Sequence, residues 1–481
     1  MSKRMIGTGL AAAIAVTAAV VAPVTAQAAA PQSAAGRIHA DFDGDGYQDV
    51  AFAAASATVG GKARAGYVAV VYGSAKGLNL SHRQVISQNT AGIPGVAEAD
   101  DRFGSGLSAA DLDGDGYADL VVGASGEEAG GKRGTLAVVW GGKQGLSGAT
   151  ALASGTRTDT AVGDFDGDGD PDVATPGSLL TGPFSRTTGA AAVSALSLDP
   201  VDYRTNALAA GDIDHDGIAD LVALNVDNTS DDHSNADSYH RRVVYLRGTA
   251  QGLSAPVTLK NEDGSLFRGG ERLGIGDVNR DGYGDLVIGR SFTHDIVDDD
   301  LLIGGQIGVV YGGAGGPDPA GETVVTQNTP GVPGATEPGD SFGGGISVGD
   351  VDGDGYADVA TGAFTEDLGD IDDAGQVTVL RGGRGGLTGT GSVAFTQNTA
   401  RVPGTAERLD FFGVTTSLTD VNRDGRAELF AGATGENGFA GGVWAFRNPG
   451  TGPVATGSTA IGAGTLGTTA NSANLGSHFA R

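Results

Sequence analysis

The chain has 481 residues, no cysteine, 85 glycines and a formal net charge of −28, from 58 acidic against 30 basic side chains. Without thiols there is no disulfide and no thiol-linked lipid anchor. With no basic stripe to displace phosphate counterions, a nucleic-acid partner is excluded. So much glycine with only 18% charged residues argues against long helices and for short strands joined by many turns.

Residues 1–30 read as a secretory signal peptide. Lys3 and Arg4 give a basic start, Ile6 to Val21 an apolar run, and Ala26-Gln27-Ala28 a small-x-small cleavage site. No later stretch is long and apolar enough to span a bilayer. Residues 31–481 are therefore expected as one secreted, extracellular unit.

From Asp41 onward one string returns seven times: Asp-x-Asp/Asn-x-Asp-Gly-x-x-Asp/Glu, starting at Asp41, Asp111, Asp164, Asp212, Asp277, Asp350 and Asp420. The starts lie 70, 53, 48, 65, 73 and 70 residues apart, a unit of about 64 residues. That suits four short strands plus loops and is far longer than the period of a nonapeptide calcium roll. The chain is too long for one layered core, yet no linker divides it; a closed ring of repeats removes the conflict.

Positions 1, 3, 5 and 9 of the seven strings hold 26 carboxylates, leaving 32 acids against 30 bases elsewhere. Nearly all the excess negative charge thus sits in the repeat. Closely spaced carboxylates around a turn glycine make a cage for a hard divalent cation, calcium above all. Position 6 is always glycine (Gly46, Gly116, Gly169, Gly217, Gly282, Gly355 and Gly425), which permits the positive φ of such a loop. The string is no EF-hand, because the twelfth position carries no acid; after Asp111 it is Val122. An Asp-Gly turn can end a strand without metal, but seven in-register copies with this acid density argue for ions. Without them, carboxylates ~4 Å apart repel by roughly 1 kcal/mol in water and more when partly buried.

Further landmarks recur in each unit. Phe103-Gly104, Phe342-Gly343 and Phe412-Gly413 precede the string. Apolar runs ending near Gly-Ala follow it, at 120–125, 359–364 and 429–434. Gly-led alternating strands come next, at 66–73, 134–141, 305–312 and 375–382. Connectors 88–104, 327–343 and 397–413 are near copies beginning Gln-Asn-Thr. These are the marks of the FG-GAP repeat. Residues 36–481 resemble the seven-bladed β-propeller of integrin α subunits, and are closer still to secreted bacterial proteins built of FG-GAP repeats alone. Blade 3 departs most: its string, 164–172, has no clear Phe-Gly before it and no obvious third strand after it.

The resemblance implies an all-β, seven-bladed propeller with the string as the hairpin between the first and second strands of each blade. It implies calcium held by side chains at positions 1, 3, 5 and 9 and by the main-chain carbonyl at position 7. Those residues are Asp41, Asp43, Asp45, Tyr47 and Asp49 in blade 1, and Asp111, Asp113, Asp115, Tyr117 and Asp119 in blade 2. Blade 3 offers Asp164, Asp166, Asp168, Asp170 and Asp172, and blade 4 Asp212, Asp214, Asp216, Ile218 and Asp220. Blade 5 offers Asp277, Asn279, Asp281, Tyr283 and Asp285, and blade 6 Asp350, Asp352, Asp354, Tyr356 and Asp358. Blade 7 offers Asp420, Asn422, Asp424, Arg426 and Glu428. Affinities of the extracellular kind, roughly 10⁻⁴–10⁻³ M, are expected. Blades 5 and 7 have three carboxylates and gain Arg280 or Arg423, so they should bind more weakly, with blade 7 the first to stand empty.

The tail, 456–461 then 474–481, is in register with 390–395 then 411–416. Leu475-Gly476 stands where Phe-Gly should be, so the last strand is expected to complete blade 1, with residues 36–40 competing for the place.

Little else suggests chemistry. Gly339-Asp340-Ser341-Phe342-Gly343 mimics a hydrolase elbow, but Ser341 shares its repeat position with Arg102 and Phe411, which explains the glycine and phenylalanine. The position-7 tyrosines, Trp140 and Trp444 read as packing. His233 and His240 sit in an acidic insert, 227–242, resembling 293–304 and 365–375. All three fall between second and third strands, on the face where integrin propellers meet ligands. A calcium-binding adhesion module, acting as a monomer on an extracellular protein or cell-surface glycan, is the expected role, without enzymatic activity. A hydrolase or lyase built on the propeller, or a structural spacer, is the alternative; no convergent His, Glu or Asp set is legible at the ring centre.

Overall fold

A strand covered on both faces by neighbouring sheets can be apolar throughout, whereas one at a sheet's outer edge must alternate. The computed structural model follows that rule from axis to rim. It describes residues 40–154, 159–198, 203–227, 241–291 and 304–481. The leader-like segment 1–30, His233 and His240, and nearly all of the insert 293–304 lie outside those residues.

Six four-stranded antiparallel sheets and one of three strands follow one another in chain order, each built from consecutive strands. Blade 2 shows the plan: Phe103–Ala110, Asp119–Ala129, Lys132–Val139 and Ala149–Ser154. Second strands such as Val50–Ala54, Asp358–Ala363 and Glu428–Ala433 are buried at every residue. Fourth strands such as Asn79–Ile86 are largely exposed. Blade 3 is the smallest, with a first strand of Ala161–Gly163 and the third strand missed in the sequence at Ser178–Thr181. Among the described residues the apolar core divides into seven clusters, one between each pair of neighbouring blades. The architecture is the expected seven-bladed propeller. No helix among the described residues is long and apolar enough to cross a membrane.

Each Phe-Gly ties its blade to the one before. The Phe103 amide donates to Ala65 O at 2.8 Å, Phe342 to Gly304 O at 2.7 Å and Phe412 to Ala374 O at 3.0 Å. This close approach explains the glycine that leads each third strand. A Cβ on Gly66, Gly305 or Gly375 would stand 2.3 Å from the carbonyl oxygen of Phe103, Phe342 or Phe412. All three glycines also have positive φ.

The ring closes with the same contact. The Leu475 amide donates to Ala440 O at 3.1 Å, and Phe479 pairs antiparallel with Phe52. Ala53 N donates to His478 O and Ala480 N to Ala51 O, both at 2.9 Å. Residues 475–481 thus supply the first strand of blade 1, as the register of the tail implied. Ala40 continues that strand, its carbonyl accepting from Asp49 N at 2.7 Å.

The near-copy connectors have a shared task. Gln88, Gln327 and Gln397 donate from Nε2 to Glu127, Glu366 and Glu436 at 2.7, 2.7 and 2.5 Å. Asn89, Asn328 and Asn398 accept from the amides of Ala97, Thr336 and Ala406. Each connector is thereby pinned to the next blade on the face opposite the Asp-rich hairpins.

Candidate metal centres

The nine-residue string forms the hairpin from first to second strand in every blade, and its internal bonding repeats. In blade 1 the Asp41 carboxylate accepts from the amides of Gly44 (2.7 Å), Asp45 (3.1 Å) and Gly46 (2.8 Å), curling the loop round itself. Asp45 Oδ1 accepts from Tyr47 N at 3.0 Å. Asp49 faces inward, taking Phe42 N at 2.8 Å on one oxygen and Gly73 N at 2.9 Å on the other. The ninth carboxylate therefore bolts the loop to the glycine after the third strand, a bond repeated by Asp119 to Gly141, Asp220 to Gly248 and Asp358 to Gly382. Position 2 is the loop's apolar anchor. Phe42, Leu112, Phe165, Ile213, Val278, Val351 and Val421 are all buried, one in each inter-blade core.

Burial makes the ninth carboxylates resist ionisation despite their amide donors. Asp49 is pushed up to about 8, Asp119 and Glu428 to about 7, and Asp172, Asp220, Asp285 and Asp358 to about 6. Neighbouring carboxylates add to the effect in all of them.

Five loops bring carboxylate oxygens of three acids within 4.8 Å of one another: Asp41/Asp43/Asp45, Asp111/Asp113/Asp115, Asp164/Asp166/Asp172, Asp212/Asp214/Asp216 and Asp350/Asp352/Asp358. These are the five loops with four carboxylates. The all-oxygen donor set suits a hard divalent cation. Asp214 Oδ1 supports the fit: it is buried with no hydrogen-bond donor at ordinary length among the described residues. The loops of blades 5 and 7 gather no such trio among the described residues. There Asn279 Nδ2 donates to Asp281 at 2.9 Å and Asn422 Nδ2 to Glu428 at 2.6 Å, supplying internally part of what an ion would supply.

A sequence profile for the FG-GAP repeat matches residues 29–71, 103–139, 342–380 and 412–446. These segments hold hairpins 1, 2, 6 and 7. The chain carries FG-GAP repeats on a seven-bladed propeller. It is also 31% identical over 216 residues to integrin alpha-PS2 of Drosophila melanogaster, a match covering 43% of this chain and 15% of that protein. Integrin α-like FG-GAP propellers bind divalent cations, and the acid trios here fit that property.

In this propeller the loops also touch one another, which the sequence did not announce. The position-1 carbonyl of one loop accepts from the position-8 amide of the next: Asp41 O from Ala118 N (2.8 Å), Asp164 O from Ala219 N (2.9 Å), Asp277 O from Ala357 N (2.9 Å) and Asp350 O from Ala427 N (2.8 Å). Loop 3 cannot donate in the same way to Asp111 O of loop 2, because its eighth residue is Pro171 and has no amide proton. Position 7 packs on position 4 of the preceding loop, Tyr117 against Gly44 and Ile218 against Gly167. The tyrosines are thus packing residues. Arginines of loops 5 and 7 reach across as well: Arg280 Nη1 donates to Asp354 O at 2.8 Å and Arg426 Nε to Asp352 O at 3.1 Å, both in loop 6.

Three other guanidiniums sit on loop carboxylates. Arg186, from blade 3, is 2.6 Å from both Asp113 and Asp115 of loop 2. Arg247 pairs with Asp214 and Asp216 of loop 4, and Arg381 lies 3.5 Å from Asp352 and 3.3 Å from Asp358 of loop 6. A divalent cation entering such a loop must displace or repel that charge. Arg186→Gln should therefore raise the cation affinity of loop 2 about three- to tenfold, the equivalent of a pair worth about 1 kcal/mol. Terbium luminescence sensitised by the loop tyrosines reads this directly. Unchanged or weakened binding would show that Arg186 instead holds the carboxylates in place for the ion.

Other candidate residues fall out differently. Ser341 Oγ bonds Gly339 O at 3.2 Å and the Thr365 hydroxyl at 2.7 Å, and it shares positive φ with Arg102 and Phe411. Trp140 and Trp444 are buried in blade cores. The ring centre corrects the sequence reading: Asp159, Arg272, His478 and Arg481 do converge there. They come from three blades, Asp159 from blade 3, Arg272 from blade 5 and His478 with Arg481 from blade 1, so no local motif announced the set.

Proposed function

We propose that the protein is a calcium-stabilised extracellular binding module, secreted by way of residues 1–30, that engages a protein or cell-surface glycan without chemistry. The carrying observation is the division of labour between the two faces. All seven acid hairpins lie at one end of the strands, where they bond to their own loops and to their neighbours. The connections from second to third strand and the inter-blade connectors leave from the other end. Of the acidic inserts there, 365–375 is described, with Asp367, Asp370 and Asp372 exposed. A hairpin of exposed acids on a rigid scaffold is free to vary without disturbing the ring. Calcium is the ion that best suits many-oxygen loops in an extracellular setting.

Changing Asp367, Asp370 and Asp372 together to alanine should abolish binding in a glycan and cell-surface array, with the melting temperature within about 1 °C of the parent, as exposed substitutions usually allow. Binding that survives unchanged would remove this insert from the interface. Capture of no ligand by the parent protein, with turnover in a hydrolase screen, would favour an enzyme instead.

A further inference from the structure

The first strands of the seven blades each present one residue to the ring axis at the same register. In four blades it is small or hydroxyl-bearing; in the other three it is Asp159, Arg272 and His478. With Arg481 these residues line a chamber of about 100 Å³ to which all seven blades contribute. That is room for several waters or one small molecule.

The two acids of the lining, Asp159 and Glu271, do not pair with its two guanidiniums: Glu271 is engaged by Arg241 and by the Ser291 amide. Arg272 Nε donates to Gly344 O at 2.8 Å and Nη1 to Glu271 O at 3.4 Å, while Arg481 Nη1 reaches Leu273 O at only 3.5 Å. No carboxylate among the described residues lies within ion-pair distance of either guanidinium; Asp159 acts on both from farther away. The main-chain oxygen of Arg481 is taken by Ala109 N at 2.9 Å and faces the blade wall. Arg481 is exposed and is among the residues that line the chamber. Burial and the two guanidiniums push His478 down to about 4, so it is neutral at pH 7. Two half-satisfied cations brought together in a chain of net charge −28 are costly unless something negative lies between them.

We propose that the axial chamber binds a small oxyanion, of the phosphate, sulfate or carboxylate class, between Arg272 and Arg481. Planar guanidiniums suit such groups, which they can hold by two N–H donors each. Asp159 opposes the anion and sets a modest affinity.

The test is calorimetric and thermal titration of the full chain with sodium phosphate, sulfate and acetate, at ionic strength fixed with sodium chloride. At least one of the oxyanions should bind and raise the melting temperature. Arg481→Gln should weaken it at least tenfold, and Asp159→Asn should strengthen it about fivefold, a gain that a merely structural role for Asp159 would not give. Arg272→Gln should match Arg481→Gln if it folds. No response beyond chloride, or one indifferent to Arg481→Gln and Asp159→Asn, would overturn the proposal and leave a water-filled channel.

Discussion

Stripping divalent cations with a chelator is expected to lower the melting temperature by about 8 °C relative to calcium-saturated protein. Five loops gather acid trios. A ligand about tenfold above its dissociation constant stabilises by about 1.4 kcal/mol per site, so five sites give about 7 kcal/mol. At about 2.1 cal/mol/K per residue, a ring of this length unfolds with about 0.9 kcal/mol/K of entropy. The effect should reach the whole ring, because each loop is fastened to two blades. Its first carboxylate curls the loop, its first carbonyl binds the next loop, and its second residue enters the inter-blade core. Scanning calorimetry in chelator, calcium and magnesium tests this. Melting indifferent to all three would mean that the loops are held closed by their own amides and the neighbouring arginines.

The chelated protein should also lose stability as pH rises from about 4 to about 8. The sign follows from the ninth carboxylates. Their folded-state values of about 6 to about 8 exceed the unfolded values of 3.8 for Asp and 4.5 for Glu. Between those limits the folded state holds more protons than the unfolded one, so removing protons favours unfolding. Below the unfolded values both states are protonated and the effect vanishes; above about 8 it is complete. Calcium stabilises the ionised form, so the saturated protein should show a flatter or reversed dependence over the same window.

Much of this was legible because it is repeated. Seven strings fixed the blade count, and the Leu475-Gly476 pair fixed the closure through its match to Phe103-Gly104. The loops ranked weakest from their asparagines are those in which Asn279 and Asn422 turn a side-chain amide onto an acid. What escaped was geometry between repeats. The bolt from Asp49 to Gly73 joins residues in different strands, although the glycine ending each third strand was visible. The link from position 1 to position 8 is made by main chain and leaves no trace except where Pro171 forbids it. The axial chamber was hidden for the opposite reason. Asp159, Arg272 and His478 are the exceptions at a register otherwise filled by small or hydroxyl-bearing residues, so the repeat that revealed the fold averaged them away.

Deleting residues 475–481 should do more damage than removing the ions. Those residues pair with Ala51 and Ala53, and Phe479, 7% exposed, packs on Phe52 with ring centroids 6.2 Å apart. Leu475 and Phe479 belong to the core that joins blade 7 to blade 1. Their loss would open that core and leave Val50–Ala54 with unpaired main-chain groups along its inner edge, a template for pairing with another chain. Phe479→Ala alone should cost about 3–5 kcal/mol, which over about 0.9 kcal/mol/K is a fall of about 4 °C. The deletion should instead give soluble oligomers or aggregate in light scattering, with fast hydrogen exchange at the Ala53 amide. Should the shortened chain stay monomeric with that amide still protected, another segment must occupy the vacated edge. Residues 36–39, which lead into Ala40, are the nearest in sequence. A second deletion lacking both segments separates the two explanations, since only a true loss of the first strand exposes Ala53 in one variant and leaves it exposed in the other.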